Sequence, residues 1–102
     1  MQEFQNELEI LRKEVDEVDS IIYQAIYNRT LLTNKIGQLK KNHGVIEMSL
    51  ERRQEIYKKL IDWATRDNIP TELFTKIYDT IFEFSINKQL DLINKEVITN
   101  EN

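Results

Sequence analysis

Apolar side chains recur along the first part of the chain at alternating steps of four and three residues. They occupy Phe4, Leu8, Leu11, Val15, Val18, Ile22, Ala25, Leu32, Ile36 and Leu39. This spacing is the heptad pattern of one face of a long α-helix. Gly37 does not end the pattern, because one glycine costs a helix only about 1 kcal/mol. The pattern therefore predicts a first helix from Phe4 to about His43, with its stop at Asn42-His43-Gly44.

The predicted first helix is too long for a compact chain of this size. About 40 residues at ~1.5 Å per residue span about 60 Å. A compact monomer of 102 residues has a radius of gyration of only ~13 Å. One copy of the chain cannot bury the whole apolar stripe. We therefore expect a second chain alongside this helix.

A second helix follows the connector Val45–Met48. The side-chain oxygen of Ser49 can cap its first turn by accepting from a free backbone N–H group. The helix is predicted to run to about Arg66, and its inward positions again follow steps of four and three. These positions are Ser49, Arg53, Ile56, Leu60 and Trp63.

A third helix follows the break at Asp67-Asn68-Ile69-Pro70. Pro70 suits the first turn of that helix, where its missing N–H group is not needed. The helix is predicted to end near Asn94. Its inward stripe comprises Phe74, Ile77, Tyr78, Ile81, Ser85, Gln89, Leu92 and Ile93. The chain is thus predicted to be all-α, a single domain over residues 1–102 with its helical core at about 7–95 and a polar tail at 96–102.

Composition narrows the possible functions. Hydrophobic residues make up 40% and charged residues 31% of the chain, so it can fold, but with a thin core. The sequence has no cysteine and one histidine, His43, which makes a disulfide impossible and a zinc site improbable. The net charge of −4 argues against nucleic-acid binding. No apolar run is long enough to cross a membrane and no signal peptide is evident, so we expect a cytoplasmic protein.

Polar side chains interrupt each predicted apolar stripe. The interruptions are Arg29 in the first helix, Ser49 and Arg53 in the second, and Ser85 and Gln89 in the third. A charge on a buried stripe is costly unless something pairs with it. A single interruption is most simply a structural pair or a device that fixes helix register. Interruptions on all three stripes suggest a polar pocket inside the bundle, and both interpretations stay open here.

Cations on the first helix could line such a pocket. Lys40 follows Arg29 by eleven residues, so both point to nearly the same side, ~16 Å apart along the axis. Arg12 precedes Arg29 by seventeen residues, or ~25 Å. Arg12 could therefore reach the same ligand only from an antiparallel second chain. Otherwise it is a solvated residue beside the apolar stripe. With Gln89 and Ser85 as neutral hydrogen-bond partners, these cations fit a small dianion.

The sequence offers no set of groups for covalent or acid–base catalysis. It has no cysteine, no Ser–His arrangement and no paired carboxylates on an inward face. An enzyme built from these residues would act by positioning and electrostatics. We expect no cofactor and no metal.

Several segments together resemble the all-helical (type II) chorismate mutases. They cover about residues 7–93, nearly the whole chain, and the combination is specific although each segment alone is weak. The matching segments are Leu8-Glu9-Ile10-Leu11-Arg12-Lys13-Glu14-Val15-Asp16-Glu17-Val18-Asp19, Asn28-Arg29-Thr30-Leu31-Leu32, Ile36-Gly37-Gln38-Leu39-Lys40, Glu51-Arg52-Arg53 and Ser85-Ile86-Asn87-Lys88-Gln89.

The resemblance implies an intertwined homodimer of three-helix chains with two shared active sites. It implies an isomerase that performs the Claisen rearrangement of chorismate to prephenate, in the shikimate route to phenylalanine and tyrosine. Arg29 and the partner's Arg12 would hold the two carboxylates, and Ser85 would line the carboxylate side. Lys40 and Gln89 would donate to the ether oxygen, where negative charge develops. Docking onto another enzyme of the pathway stays open.

Two positions depart from the pattern of that family. Ser49 stands where the family usually has Asp, and Arg53 stands where it usually has Glu. That Glu accepts a hydrogen bond from the ring hydroxyl of chorismate, whereas arginine has only donors. The heptad phase places Arg53 inward, and a slip that brought Glu51 there would displace the apolar positions of the second helix.

These departures leave alternatives to a chorismate mutase. The chain could be a lyase that cleaves isochorismate to salicylate and pyruvate. It could be a sister mutase on 4-amino-4-deoxychorismate, although Arg53 would repel the ammonium group of that compound. A protein of another class, a non-catalytic regulatory or structural helical dimer, would explain Ser49 and Arg53 as decay of an unused site. Retention of Arg12, Arg29, Lys40 and Gln89 argues against that last interpretation.

Overall fold

The computed structural model describes the backbone of residues 1–45 and 49–101 and the side chains of residues 1–45 and 49–92. It contains three helices, α1 (Gln2–Asn42), α2 (Leu50–Arg66) and α3 (Thr71–Glu101). No strand occurs within these ranges, which confirms the all-α prediction. The chain forms two compact units, Met1–Thr33 and Asn34–Asn102. The second unit contains the last turns of α1 together with α2 and α3.

The first helix ends where the sequence predicts. The N–H group of Val45 donates to the carbonyl of Lys40 at 2.8 Å, and that of Gly44 donates to the carbonyl of Lys41 at 3.2 Å. Gly44 has a φ of 66°, the left-handed conformation that glycine adopts without steric cost. These are the two hydrogen bonds of a Schellman cap, which satisfies the last carbonyls of the helix. Of the predicted connector Val45–Met48, residues 46–48 lie outside the described residues.

The first unit consists of one helix whose apolar stripe is open to solvent. Five residues of the predicted apolar stripe are at least half exposed in this chain: Phe4, Leu11, Val15, Val18 and Ile22. Val15, for example, is 56% exposed, although it lies in the middle of the stripe. This exposure agrees with the expectation of a second chain beside α1, which stays a prediction.

Capping residues set both ends of α2. The Oγ atom of Ser49 accepts a hydrogen bond from the backbone N–H of Arg52 at 3.1 Å, which confirms the predicted cap. At the other end, the N–H of Ile69 donates to the carbonyl of Ala64 at 2.9 Å. Asn68 takes the left-handed conformation there, with a φ of 57°. Asparagine tolerates this conformation better than most residues do, so it ends the helix as Gly44 ends α1.

The third helix differs from the prediction at both ends. It begins at Thr71, so Pro70 precedes the helix and accepts a hydrogen bond from the N–H of Leu73 through its carbonyl. It continues to Glu101, beyond the predicted end near Asn94. The sequence after Asn94 contains no glycine or proline, the two residues that interrupt a helix most strongly.

The core of the second unit lies between α2 and α3. Its buried apolar side chains are Leu60 (5% exposed), Ala64 (2%) and Phe82 (8%). The rings of Tyr57 and Tyr78 meet the Phe82 ring edge to face, with centroids 5.4 and 5.7 Å away. Such aromatic pairs stabilise a core beyond the area that they bury.

The inward face of α2 matches the prediction at Arg53, Ile56 and Leu60 but departs from it in the last turn of the helix. Trp63, predicted to face inward, is 52% exposed, and Ala64 is buried in its place. On α3 the predicted inward residue Ile77 is exposed, whereas Phe82 is buried. Spacing alone cannot distinguish two adjacent positions of a helix when both are apolar, and the packing of α2 on α3 selects the small alanine.

Replacing Leu60 with alanine should strongly destabilise the protein. Truncating a buried leucine removes apolar contacts and leaves a cavity, so we expect Leu60→Ala to lower the free energy of unfolding by about 2–5 kcal/mol. Leu50→Ala is the matched control, because Leu50 is 65% exposed, and it should cost less than about 1 kcal/mol. Urea denaturation at one protein concentration measures both. Equal losses in the two variants would contradict the packing described here.

Candidate active site

Gly37 brings the last turns of α1 against α3. A Cβ atom placed on Gly37 would lie 3.4 Å from Cγ of Gln89 and 3.5 Å from Cδ1 of Leu92. Gly37 is accordingly buried, and Gln89 is half-buried. Lys40 follows Gly37 by three residues, and residues three apart are neighbours on a helix surface. Of the predicted site residues, Gln89 thus lies at the junction of α1 and α3, and Lys40, which is half-buried, lies one turn of α1 after Gly37.

The inward face of α3 continues from Gln89 back to Phe82, which packs against α2. We call this row of side chains the stripe of α3. Ser85 lies one turn before Gln89 and is half-buried, which agrees with its predicted position on the inward stripe of α3. Phe82 lies three residues before Ser85 and is buried. From Phe82 to Gln89 the stripe runs ~10 Å along α3, which places both neutral hydrogen-bonding residues beside the core.

Arg53 faces α3, as the heptad phase predicts. It is half-buried, whereas Glu51 is exposed, so no slip brings Glu51 to the inward face. The Cζ atom of Arg53 lies 5.1 Å from the centroid of the Phe82 ring. At this distance the ring face attracts the guanidinium. The Nε atom of Arg53 is buried and has no hydrogen-bond partner among the described residues.

Tyr57 lies beside Arg53 and forms a hydrogen bond with Asp79. The Tyr57 hydroxyl donates a hydrogen bond to the Asp79 carboxylate. Partial burial raises the pKa of the Tyr57 phenol, the bond to Asp79 raises it further, and Arg53 beside the phenol lowers it. The net effect is an upward shift, so the phenol remains a neutral donor near neutral pH. The cluster therefore joins one cation, one anion and a neutral phenol across α2 and α3.

Sequence reasoning did not identify Tyr57, Asp79 or Phe82. A signal was present, because Tyr57 follows Arg53 by four residues and Phe82 follows Asp79 by three. These spacings place each pair on one helix face. Gly37 was treated only as a tolerated helix residue. A glycine inside a helical pattern can also mark close approach of two backbones, which is its role here.

The other predicted site residues do not meet in this chain. Arg12 is exposed and Arg29 half-buried in the first unit. Both lie on α1, ~25 Å apart along its axis, so no small ligand bridges them from one chain. Ser49 is exposed, and its Oγ already accepts the capping hydrogen bond.

The described residues show no group of three or more His, Asp or Glu side chains that could hold a metal ion. Within the same part of the chain, no helix is both long and apolar enough to cross a membrane.

The sequence matches the model of a known protein family. The model for chorismate mutase type II matches residues 11–90. The chain therefore belongs to the chorismate mutase type II family. No solved structure matches it.

Several named proteins are similar to this chain in sequence, at low identity. It is 30% identical over 90 residues to a bifunctional chorismate mutase/prephenate dehydratase of Buchnera aphidicola subsp. Acyrthosiphon pisum, a match covering 88% of this chain and 23% of that protein. It thus spans about a quarter of the length of such bifunctional relatives. It is 27% identical to the chorismate mutase of Methanocaldococcus jannaschii, across 90% of this chain and 91% of the relative. The 4-amino-4-deoxychorismate mutase of Streptomyces venezuelae is 26% identical, in a match that covers 95% of this chain and 94% of that protein.

A larger side chain at position 37 should disturb the junction. In Gly37→Ala the new Cβ makes an ordinary contact with Gln89. Alanine also favours a helix over glycine by about 0.5–1 kcal/mol. We expect its melting temperature to equal or exceed that of the wild type. In Gly37→Leu the added carbons would occupy the space of Gln89 and Leu92, and we expect a loss of about 1–3 kcal/mol.

Thermal unfolding followed by circular dichroism measures both changes. Gln38→Leu is the matched control, because it adds leucine at an exposed neighbouring position of α1. A Gly37→Leu variant as stable as Gln38→Leu would show that α1 and α3 do not approach closely at Gly37.

Proposed function

We propose that this protein is a chorismate mutase that rearranges chorismate to prephenate. The observation that carries the proposal is the placement of Gln89 against Gly37, one turn before Lys40 on α1. Membership of the family supports the substrate, a dianion with an enolpyruvyl ether. The reaction is intramolecular, breaking one C–O bond and forming one C–C bond, and it needs neither a proton transfer nor a cofactor.

Lys40 and Gln89 act as donors to the ether oxygen. Negative charge develops on that oxygen as the C–O bond breaks, and preorganised donors stabilise it more in the transition state than in the substrate. Gln89 suits this role because its amide donates without titrating. The packing of Gln89 on Gly37 holds the donor in place before the substrate arrives, so little reorganisation is needed during the reaction.

Two arginines bind the substrate carboxylates, and they come from different chains. Arg29 supplies one planar fork and the partner's Arg12 the other, because within one chain the two residues are ~25 Å apart. A homodimer would also cover the exposed apolar stripe of α1. Ser85 is assigned to the side of the carboxylate groups, and Ser49, whose Oγ accepts the capping hydrogen bond, keeps its hydroxyl proton as a further donor. A cytoplasmic location and docking onto a pathway enzyme remain predictions from the sequence alone.

Arg53 supports a second candidate activity on a related dianion. The half-buried Arg53 on α2 adds positive charge where the type II family usually carries a carboxylate. This candidate is a lyase on isochorismate, a substrate that would present different ring substituents to Arg53, whereas Arg53 disfavours the ammonium group of the sister mutase's substrate. Assaying chorismate and isochorismate side by side, with product analysis, separates these activities.

The first test follows the loss of chorismate absorbance with purified protein and identifies the product. We expect prephenate from the wild type. Lys40→Ala and Gln89→Ala should each lower kcat by about 10²–10³, because each removes one donor to the developing oxyanion. Lys59→Ala, at an exposed position of α2, is the control and should leave the rate unchanged.

Circular dichroism checks that all variants remain folded. Full activity in both Lys40→Ala and Gln89→Ala would refute the assigned mechanism. Absence of prephenate with the wild type would refute the proposed function.

A further inference from the structure

We propose that Arg53 is a specificity-determining residue that requires a hydrogen-bond acceptor on the substrate, so that the site selects a ring hydroxyl over an ammonium group. The inference rests on the proposed function and concerns which chorismate-like dianion the site accepts.

The guanidinium of Arg53 is held in place by its neighbours. The Phe82 ring lies under it, with 5.1 Å from Cζ to the ring centroid. The Tyr57 side chain interacts with it from one turn further along α2. Phe82 is itself fixed between Tyr57 and Tyr78. A cation held in this way cannot easily turn away from a poorly matched ligand.

The described residues place no ion-pair partner beside Arg53, whereas the exposed arginines Arg52 and Arg66 each pair with a carboxylate. The nearby anion, Asp79, accepts the Tyr57 hydroxyl instead. Arg53 therefore retains its positive character and an unused, buried Nε–H donor.

The ligand is a suitable source for the missing acceptor. Arg53 meets α3 at Phe82, and Gln89 lies ~10 Å further along the same stripe. Long side chains from these two points can converge on one small ring compound. A buried donor without an acceptor is costly, so a bound group that accepts from Arg53 improves affinity. A hydroxyl oxygen can accept, whereas an ammonium group cannot and is repelled by the charge.

Two compounds test this directly, since chorismate and 4-amino-4-deoxychorismate differ by a hydroxyl or an amino group at one ring position. We would measure kcat/KM for each with the wild type, Arg53→Gln and Arg53→Glu. The wild type should prefer chorismate by at least about tenfold. Arg53→Gln, which removes the charge, should reduce that preference, and Arg53→Glu should reduce it further or reverse it.

Two other variants keep the test interpretable. Arg66→Gln removes the same charge at the other end of α2, where Arg66 pairs with Asp67, and should leave the preference unchanged. Tyr57→Phe removes the hydroxyl beside Arg53 without changing any charge, and should weaken the preference by less than Arg53→Gln does. Tyr57→Phe gives the answer if the Arg53 variants do not fold.

The outcomes separate this inference from the proposed function. If the wild type makes prephenate and Arg53→Gln or Tyr57→Phe keeps its full preference, the role of Arg53 is wrong while the function stands. If the wild type turns over neither compound, the proposed function fails, and the same compounds are used as ligands in thermal melting. A larger shift with chorismate that narrows in Arg53→Gln would then support the role, and equal or absent shifts would overturn it.

Discussion

The fold of the first unit and the proposed active site both depend on the apolar stripe of α1. In the first unit this stripe lies on a single helix and is exposed at residues such as Val15. Helices in water gain most of their stability from packing an amphipathic face, so a stripe of this length needs a partner surface. On our proposal a second copy provides that surface and simultaneously delivers the partner's Arg12 to the site. Folding of the first unit and completion of the active site are then the same event.

The second unit combines core packing with the chemistry of the site. Phe82 packs against Tyr57 and Tyr78 and also lies under the Arg53 guanidinium. One turn further along α3 the stripe becomes polar at Ser85, and it ends where Gln89 meets Gly37. On our proposal, the same helix face therefore stabilises the fold and orients Gln89 as a donor. A core substitution near Phe82 would be expected to alter substrate preference as well as stability.

The sequence predicted the helices well because their signals are local. Heptad spacing, the Ser49 cap and the stop at Gly44 all depend on residues within one or two turns. The burial of Ala64 in place of Trp63 was not predictable, because it depends on how α3 packs against the last turn of α2. The pairing of Tyr57 with Asp79 depends on the same packing register. The inward phase of Arg53 could be predicted, but its contact with Phe82 could not.

The claim that two chains share each site can be tested by mixing two inactive variants. Arg12→Ala and Lys40→Ala chains would be unfolded and refolded together, and chorismate turnover measured before and after. If the partner's Arg12 completes the site, each mixed dimer has one intact site, and the mixture should recover roughly a quarter of wild-type activity. If Arg12 acts within its own chain or has no role in the site, the mixture will be no more active than the two variants measured separately.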